Sequence, residues 1–203
     1  MGDRPSARSR LLGTATRLFY AEGLHSVGID RIVAEAQVTR ATLYRHFPGK
    51  DQLVVAYLSE VDKAVRAQVA EAAARGESPA DVVRAVGESI AADIRGPGFR
   101  GCAFLNAAAE YPDPTHPVHR TVLAHRAWFL HTITDLLAQA GDAAPDPAAR
   151  HFVMLRDGAM VAGCLADPEP ICRTFLRGVE GLLTHRGMSE AVSSDRRPCP
   201  RRA

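Results

Sequence analysis

Several features that define common protein classes are missing from this chain of 203 residues. No apolar run approaches the roughly 18 residues that cross a membrane, and residues 1–10 contain no signal-peptide core. The four cysteines, Cys102, Cys164, Cys172 and Cys199, never occur in C-x-x-C spacing, which argues against a zinc clip and a disulfide framework. We therefore expect a cytoplasmic protein with no membrane partner, no metal site and no cofactor.

The alternation of apolar and polar residues that marks a β-strand is missing as well. Instead, apolar residues recur with helical spacing along most of the chain, and glycine or proline interrupts the pattern between segments. This pattern predicts an all-α fold of about nine helices. The longer helices are expected over residues 51–75, 78–95, 116–140, 147–166 and 168–185, and a short one over residues 103–110.

Acidic residues are missing from the stretch VTRATLYRHF at residues 38–47, although a solvated helix face usually mixes charges of both signs. Residues 1–50 contain eight Lys and Arg against four Asp and Glu, while the whole chain has a net charge of only +2. On a helical wheel, Leu43 and Phe47 share one face with Thr39, and Ala41 and Arg45 point the opposite way. The acid-free face is therefore a candidate surface for DNA.

The residue types on this face suit the major groove of B-DNA. A helix about 10 Å wide fits a groove that is roughly 12 Å wide. Arg45 can donate two parallel hydrogen bonds to a guanine edge, Thr42 can donate or accept, and Ala41 can lie against a thymine methyl group. The expected phosphate contacts come from Tyr44, His46 and Lys50.

Two motifs carry a family resemblance. The sequence LYRHFPGKDQL occupies residues 43–53, and the pattern A-x-x-L-F-x-x-x-G occupies residues 15–23. A helix, a short helix, a break and then the basic helix follow one another in the order of a helix-turn-helix. Together these features resemble the N-terminal domain of the TetR family of bacterial repressors. The resemblance implies homodimers that bind palindromic operators and release them when a small molecule enters the C-terminal domain.

By position, the resemblance gives each polar residue of the basic helix a role. Tyr44, His46 and Lys50 match the phosphate-contacting motif of the family. The base-reading residues of the family are matched by Arg40, Ala41, Thr42 and Arg45. We add Thr39, at the start of the helix, to this candidate DNA-binding set.

Two positions depart from the family pattern. Gly28 stands where the family often has Ser or Thr, so either Asp30 caps the second helix in its place or Ile29 begins that helix uncapped. Gln37 stands where the turn commonly has glycine, and a non-glycine residue at positive φ costs on the order of 1 kcal/mol. We therefore expect slight strain in the turn at Gln37.

The chain is expected to have three parts. Residues 1–50 would form the helix-turn-helix DNA-binding domain, with flexible first residues, and residues 51–186 a regulatory domain for ligand binding and dimerisation. Residues 187–203 are rich in Ser, Pro and Arg and lack aromatic residues, which is typical of a disordered tail. The long helix that starts at Lys50 is the expected link between DNA and the ligand pocket.

The regulatory part contains aromatic residues with a few polar groups among them. Such a mixture suits an apolar small molecule that is held by burial and oriented by a few hydrogen bonds. For any single residue, ordinary core packing is the alternative. The candidate ligand-binding residues are Cys102, Phe104, Asn106, Glu110, Tyr111, His125, Trp128 and Phe129.

Apolar stripes with interleaved glycines mark the last two predicted helices. Small residues permit close helix approach, so the two helices could form a four-helix bundle with those of a second copy. The alternative is that the stripes face only the core of their own chain. The candidate interface residues are Phe152, Leu155, Ala159, Ala162, Ile171, Phe175, Val179 and Leu182.

Three further patterns have weaker functional interpretations. Cys102 could be a thiol that senses oxidants or electrophiles, but free cysteine is commonly a small buried hydrophobe. The sequence GPGFRG at residues 96–101 fits G-x-G-x-x-G by letter, yet no strand pattern precedes it, and we interpret it as a loop between helices. His116 and His119 have the spacing of helical metal ligands without an evident third ligand.

The sequence therefore predicts a DNA-binding transcriptional regulator that responds to a ligand. We expect a homodimeric repressor that a small apolar effector releases from a palindromic operator. The alternatives are an all-α enzyme, a redox sensor that uses Cys102, and an adaptor that uses the helix-turn-helix for protein contact. An enzyme would need a nucleophile and base, a metal set or paired carboxylates, and none stands out in the sequence.

Overall fold

The computed structural model describes residues 5–75 and 78–184. Within these ranges the chain forms nine helices and no strand, which confirms the all-α prediction. None of the nine is long and apolar enough to cross a bilayer. The helices are α1 (Ala7–Glu22), α2 (Ile29–Glu35), α3 (Arg40–His46), α4 (Lys50–Ala74), α5 (Pro79–Arg95), α6 (Ala103–Glu110), α7 (Pro117–Gln139), α8 (Pro145–Ala162) and α9 (Pro168–Thr184).

Residues 1–4, 76–77 and 185–203 lie outside the described residues. The expectations of flexible first residues and of a disordered tail over residues 187–203 fall there. Cys199 belongs to the same part of the chain.

Side-chain caps explain where α3 and α5 begin. Thr39 accepts a hydrogen bond from the backbone N–H of Thr42 at 3.1 Å, and Ser78 accepts one from that of Asp81 at 3.3 Å. Pro79 fills the first position of α5, where its missing N–H leaves no hydrogen bond unmade. The local sequence therefore fixes both helix starts.

The two departures from the family pattern have clear structural outcomes. Gly28 precedes α2 without a side-chain cap, so the helix begins uncapped at Ile29. The Asp30 carboxylate bonds to Arg40 and does not cap α2. Gln37 has a φ of 53°, which confirms the expected positive φ in the turn between α2 and α3.

The boundaries of α8 differ from the expected residues 147–166. The helix begins at Pro145, because proline fits the first turn of a helix, and it ends at Ala162. Gly163 follows at a close approach to α5, where a Cβ atom would lie 2.6 Å from Ile94 Cγ2. Residues 163–165 form a turn in place of the last expected helical turn.

One continuous apolar core joins all nine described helices. The small helices α1, α2 and α3 pack together around Leu18, Ile32 and Leu43, which are all fully buried. α4 packs on α1, with the Tyr57 ring 5.9 Å from that of Phe19, and continues along α5 and α7. α4 therefore connects the first three helices to the larger bundle that α8 and α9 complete.

Candidate nucleic-acid interface and ligand cavity

The acid-free face is one side of α3. Leu43 and Phe47 are 0% and 3% exposed because α3 packs against α1 and α2. α3 and its flanks carry all eight candidate DNA-binding residues. Thr39, Arg40, Ala41, Tyr44 and Arg45 are exposed, and Thr42, His46 and Lys50 are half-buried.

Three of these candidates, Thr39, Thr42 and Lys50, have partners close to α3 within the protein. The hydroxyl oxygens of Thr39 and Thr42 lie 2.9 Å apart, so each can donate to the other. The Lys50 ammonium donates to the carbonyl of His25 at 3.2 Å, and burial lowers the pKa of Lys50 from its ordinary value. A phosphate group would have to share or replace these partners.

An acidic residue from outside α3 reaches its basic face. Arg40 donates two hydrogen bonds, each 2.5 Å long, to the two carboxylate oxygens of Asp30 in α2. The hydrogen bonds to Asp30 raise the pKa of Arg40 above its ordinary value. Sequence spacing did not reveal this pair, because the crossing of α2 and α3 brings together residues that are ten positions apart.

A cavity of about 550 Å³, here called the outer cavity, lies between α1, α6 and α8. Of the candidate ligand residues, Cys102, Asn106 and Glu110 line it. Tyr20 of α1 lines it as well, donating to the carbonyl of Gly101 at 3.1 Å. The outer cavity therefore has walls from both the first helix and the larger bundle.

Glu110 holds the loop between α1 and α2 rather than pointing freely into the outer cavity. Its two carboxylate oxygens accept hydrogen bonds from the backbone N–H groups of Leu24 at 2.8 Å and His25 at 2.6 Å. The ring Nε2 of His25 lies 2.8 Å from the backbone carbonyl oxygen of Glu110. The end of α6 is thus bonded directly to the segment that precedes α2.

A second cavity of about 350 Å³, here called the inner cavity, lies between α1, α4 and α8. It shares Tyr20, Tyr57 and Cys102 with the outer cavity, and Phe104 lines it from α6. Its charged groups are Arg17, Asp93 and Arg156. Burial raises the pKa of Asp93, and the nearby charge of Arg156 opposes this rise.

Arg156 was not among the candidate ligand residues, although it is only 6% exposed. Its guanidinium donates to Asp157 at 2.9 Å and to the sulfur of Cys102 at 3.4 Å. The guanidinium also lies 5.1 Å from the centre of the Phe129 ring. An arginine within the apolar stripe of α8 is the sequence signal that could have identified it.

The other candidate ligand residues lie apart from the outer cavity. Phe104 and His125 stack in the interior with ring centres 3.6 Å apart. Trp128 packs beneath the guanidinium of Arg66, which lies 4.0 Å from the centre of its ring. Tyr111 donates to Asp51 at 3.3 Å, beside the start of α4. The structure therefore divides the candidate set between the cavity walls, the core and the surface.

The candidate dimer residues divide in a similar way. Phe152, Ala159, Phe175 and Val179 are at most 7% exposed, so they belong to the core of their own chain. Leu155, Ala162, Ile171 and Leu182 are only half-buried. The reason is that the strongest apolar stripe of a helix faces its own bundle, which leaves only the adjacent positions partly exposed.

The exposed apolar residues of α8 and the turn after it form a separate set, here called the α8 patch. Met154 is 72% exposed, Val161 53% and Leu165 80%. The spacing of seven residues places Met154 and Val161 on one side of α8, and Leu165 follows in the turn after the helix. This patch was missed because its members are too few to form a stripe in the sequence.

The remaining sequence patterns have ordinary surroundings. His116 lies 3.3 Å from Asp51 and His119 2.6 Å from the carbonyl of Tyr111. Among the described residues, no three His, Cys, Asp or Glu side chains are placed to hold a metal ion. Residues 96–101 connect α5 to α6 as a loop, with positive φ at Gly98 and Gly101.

Comparisons with known proteins agree with this geometry. A family model for bacterial regulatory proteins of the tetR family matches residues 11–57. SCO4454, a TetR-family transcriptional regulator from Streptomyces coelicolor, is 68% identical, with a TM-score of 0.86 over 89% of this chain and 95% of that chain. A TetR transcriptional regulator from Legionella pneumophila shares the fold at 15% identity, with a TM-score of 0.80 over 89% of this chain and 98% of that chain.

A curated relative matches a shorter segment. The HTH-type transcriptional regulator LmrA of Bacillus subtilis is 32% identical over 80 residues, which are 39% of this chain. The chain covers 43% of the length of LmrA, so this match concerns less than half of that protein.

The fold and the exposed basic helix define a helix-turn-helix protein. The similarity to SCO4454 over nearly its whole length, together with the family model, then shows that the chain belongs to the TetR family of bacterial transcriptional regulators. It is a DNA-binding protein of transcription regulation.

The Asp30–Arg40 pair gives the first testable prediction. Asp30→Asn should strengthen DNA binding about two- to tenfold, because it removes a negative charge beside the phosphates and frees Arg40 to contact DNA. Asp135→Asn removes another exposed carboxylate, on α7, and should leave DNA affinity unchanged. Fluorescence anisotropy titration of both variants on one DNA duplex measures the difference. Equal or weaker binding by Asp30→Asn would contradict an inhibitory role for Asp30.

Proposed function

We propose that the protein is a homodimeric repressor that a small molecule releases from a palindromic operator. The observation that carries this proposal is the exposed face of α3, where Ala41, Tyr44 and Arg45 stand above a buried apolar side. Arg45 would read a guanine edge and Ala41 a thymine methyl group. Tyr44, His46 and Lys50 would contact phosphates and so fix the register of α3 on the duplex.

In this proposal, DNA binding and effector binding belong to different parts of the chain. Residues 1–50 would bind DNA, and residues 51–186 would bind the effector and a second copy. Two α3 helices must enter successive major grooves about 34 Å apart, so the dimer sets the spacing of the operator half-sites. α4 packs on α1 and also on α5, α6 and α7, which supports its role as the link.

Release by an effector would act through the outer cavity. Glu110 lines this cavity and also holds the backbone N–H groups of Leu24 and His25. A ligand that displaces the end of α6 would therefore move the segment before α2, and with it α3. The ligand can lower operator affinity only by the factor by which it prefers the released conformation.

Dimerisation would use the α8 patch and not the buried stripes. Met154, Val161 and Leu165 are exposed apolar residues, and half-buried Leu155 of α8 and Leu182 of α9 add further apolar surface on these two helices. An exposed apolar patch of this kind is typical of an interface. A second copy would cover it and complete a four-helix bundle from α8 and α9 of both chains.

A second function has one observation in its favour. The Arg156 guanidinium donates a hydrogen bond to the sulfur of Cys102, which a thiolate accepts more strongly than a thiol. Cys102 also lines both cavities, so a small oxidant or electrophile that enters them would meet it. Cys102→Ser would abolish the response to such a reagent if Cys102 is the sensor.

The DNA-contact proposal is tested on α3. Arg45→Ala should lower the binding free energy on the best operator by about 1–3 kcal/mol and relax the preference at one base position. Lys50→Ala should weaken binding to all sequences alike and reduce the slope of log affinity against log salt concentration by about one unit. Arg75→Ala, at the distant end of α4, serves as the charge-matched control. Selection of bound genomic fragments supplies the operator, and gel-shift titration measures affinity. Unchanged affinity in both α3 variants would refute the groove assignment.

The dimer proposal is tested on the α8 patch. Met154→Glu should weaken dimerisation by about 2 kcal/mol or more without unfolding the chain, because Met154 contributes no buried core in the single chain. Leu123→Glu introduces the same charge at a comparably apolar exposed position on α7 and should remain dimeric. Analytical ultracentrifugation gives the mass of each variant. A monomeric wild-type protein at micromolar concentration, or a fully dimeric Met154→Glu, would refute this interface.

A further inference from the structure

The hydroxyl group of Tyr57 in α4 is a polar group that the proposed DNA contacts and dimer do not use. Tyr57 is only 2% exposed, and its ring centre lies 5.9 Å from that of Phe19. Burial raises the pKa of Tyr57, and no hydrogen bond from any described residue opposes this rise. By contrast, Tyr20 and Tyr111 both use their hydroxyl groups in hydrogen bonds.

The Tyr57 oxygen is reached from a cavity although the residue as a whole is buried. Among the buried and half-buried residues that the structure describes, only one unpaired side-chain nitrogen or oxygen is fully enclosed, and it is Nε2 of His125. The unpaired oxygen of Tyr57 is therefore open to a space. The spaces that Tyr57 lines are the outer cavity and the inner cavity, which share part of their walls.

The groups around the Tyr57 hydroxyl belong to the wall of the outer cavity. Apart from burial, the influences that raise the pKa of Tyr57 are the nearby ionisable groups of Tyr20, Cys102 and Glu110. All three residues line the outer cavity, and Glu110 does not line the inner one. A molecule in the outer cavity therefore meets the Tyr57 hydroxyl group on the same wall as Glu110.

Tyr57 is the unpaired group of that wall. Its buried or half-buried polar side chains, within the described part of the chain, are Tyr20, Tyr57, Cys102 and Glu110. The Tyr20 hydroxyl group both donates and accepts, and the Glu110 carboxylate accepts two backbone hydrogen bonds. The sulfur of Cys102 accepts from Arg156. Only the Tyr57 hydroxyl group is left for a ligand.

The protonation state of Tyr57 defines which ligand atom it can bind. Because its pKa is raised, Tyr57 keeps its proton and presents an O–H group at neutral pH. A phenolic O–H group is a better donor than acceptor, since the ring withdraws electron density from the oxygen. A buried donor without an acceptor is unfavourable, so this position requires an acceptor atom.

The charge of Glu110 favours a neutral acceptor. An ionised carboxylate near the Tyr57 hydroxyl group disfavours a second anion at the same place. A carbonyl oxygen accepts a hydrogen bond without carrying a charge, and it brings no donor that would need a partner of its own. The rest of the wall is mostly apolar and includes Phe19, Leu24 and Phe99, which suits a hydrocarbon body.

We propose that the outer cavity binds a neutral, mostly apolar ketone or ester, whose carbonyl oxygen accepts a hydrogen bond from the hydroxyl group of Tyr57. This proposal rests on the effector site of the proposed function and names the class of ligand for it. Tyr57 was not among the candidate ligand residues. DNA binding by α3 does not depend on the proposal.

The probe ligand for the test is β-acetylnaphthalene, and β-isopropenylnaphthalene is its control compound. The control has a methylene group in place of the carbonyl oxygen, so its shape is nearly the same but it cannot accept a hydrogen bond. A compound of two fused rings is small enough for a cavity of about 550 Å³. Isothermal titration calorimetry on the full chain without DNA measures the affinity of both compounds.

Tyr57→Phe removes the hydroxyl group and keeps the ring. This variant should bind β-acetylnaphthalene about tenfold more weakly than the wild-type protein, because the carbonyl oxygen loses its donor. The affinity of β-isopropenylnaphthalene should change by less than about twofold. Tyr111→Phe is the control variant, because it removes a hydroxyl group that lines neither cavity, and it should bind both compounds as the wild-type protein does.

Two further measurements distinguish a ligand contact from a structural role of Tyr57. The carbonyl stretching band of bound β-acetylnaphthalene should lie at lower frequency in the wild-type protein than in Tyr57→Phe, because a hydrogen bond weakens the C=O bond. The thermal unfolding midpoint of Tyr57→Phe without ligand should be no lower than that of the wild-type protein, because the hydroxyl group has no partner in the protein to lose.

Several results would overturn the proposal. They are binding of neither compound, an equal loss for both compounds in Tyr57→Phe, no loss for either, and a carbonyl band at the same frequency in both proteins. A clearly lower unfolding midpoint in Tyr57→Phe would also overturn it, because the hydroxyl group would then stabilise the fold through a bound water molecule. Specific binding of β-acetylnaphthalene that leaves operator affinity unchanged would support the ligand assignment and contradict only release by an effector.

Discussion

The carboxylate of Glu110 is the contact on which the link between the two halves of the molecule depends. It stands at the last residue of α6 and accepts from two consecutive backbone N–H groups, those of Leu24 and His25. Hydrogen bonds to an ionised acceptor are stronger than neutral ones, and here they restrain a loop that has few other bonds to the larger bundle. The position of α2, and therefore of α3, is set from the end of α6.

Neighbouring contacts strengthen the same junction, which is the contact between the end of α6 and the loop that joins α1 to α2. Tyr20 bonds through its hydroxyl group to the loop before α6, accepting from the N–H of Arg100 at 3.0 Å. Lys50, the first residue of α4, donates to the carbonyl of His25. Since Tyr20 and Glu110 both line the outer cavity, a molecule that fills this cavity must press on the junction. The site that would detect a ligand is thus built from the groups that hold the DNA-binding helices.

The helices and the basic face of α3 could be predicted from the sequence because both depend on local spacing. Leu43 and Phe47 repeat at helical spacing, and the acid-free side follows once they are placed inward. The Asp30–Arg40 pair could not be predicted, because it arises where two helices cross. Apolar spacing also could not separate buried from exposed positions: it marked Phe152 and Phe175, which are buried in their own chain, and did not mark exposed Met154.

The residues around the cavities were even harder to predict from local sequence spacing. Aromatic and polar residues near one another in the sequence were grouped as one site, yet Trp128 lies beside Arg66 while Glu110 lies at the junction. Arg156 comes from α8, some fifty positions beyond Cys102, and only the packing of α8 on α7 brings its charge near His125. Contacts between helices that are distant in sequence decide which polar groups face a ligand.

The most direct test of the central claim, that Glu110 positions the DNA-binding helices, is the operator affinity of Glu110→Gln. An amide cannot accept both N–H groups, so we predict about tenfold or greater loss of operator affinity with an unchanged dimer mass. Asn106→Ala is the control, because Asn106 lines the same cavity but bonds to the carbonyl of Arg100 and not to the loop. Operator affinity equal to that of the wild-type protein in Glu110→Gln would contradict the claim.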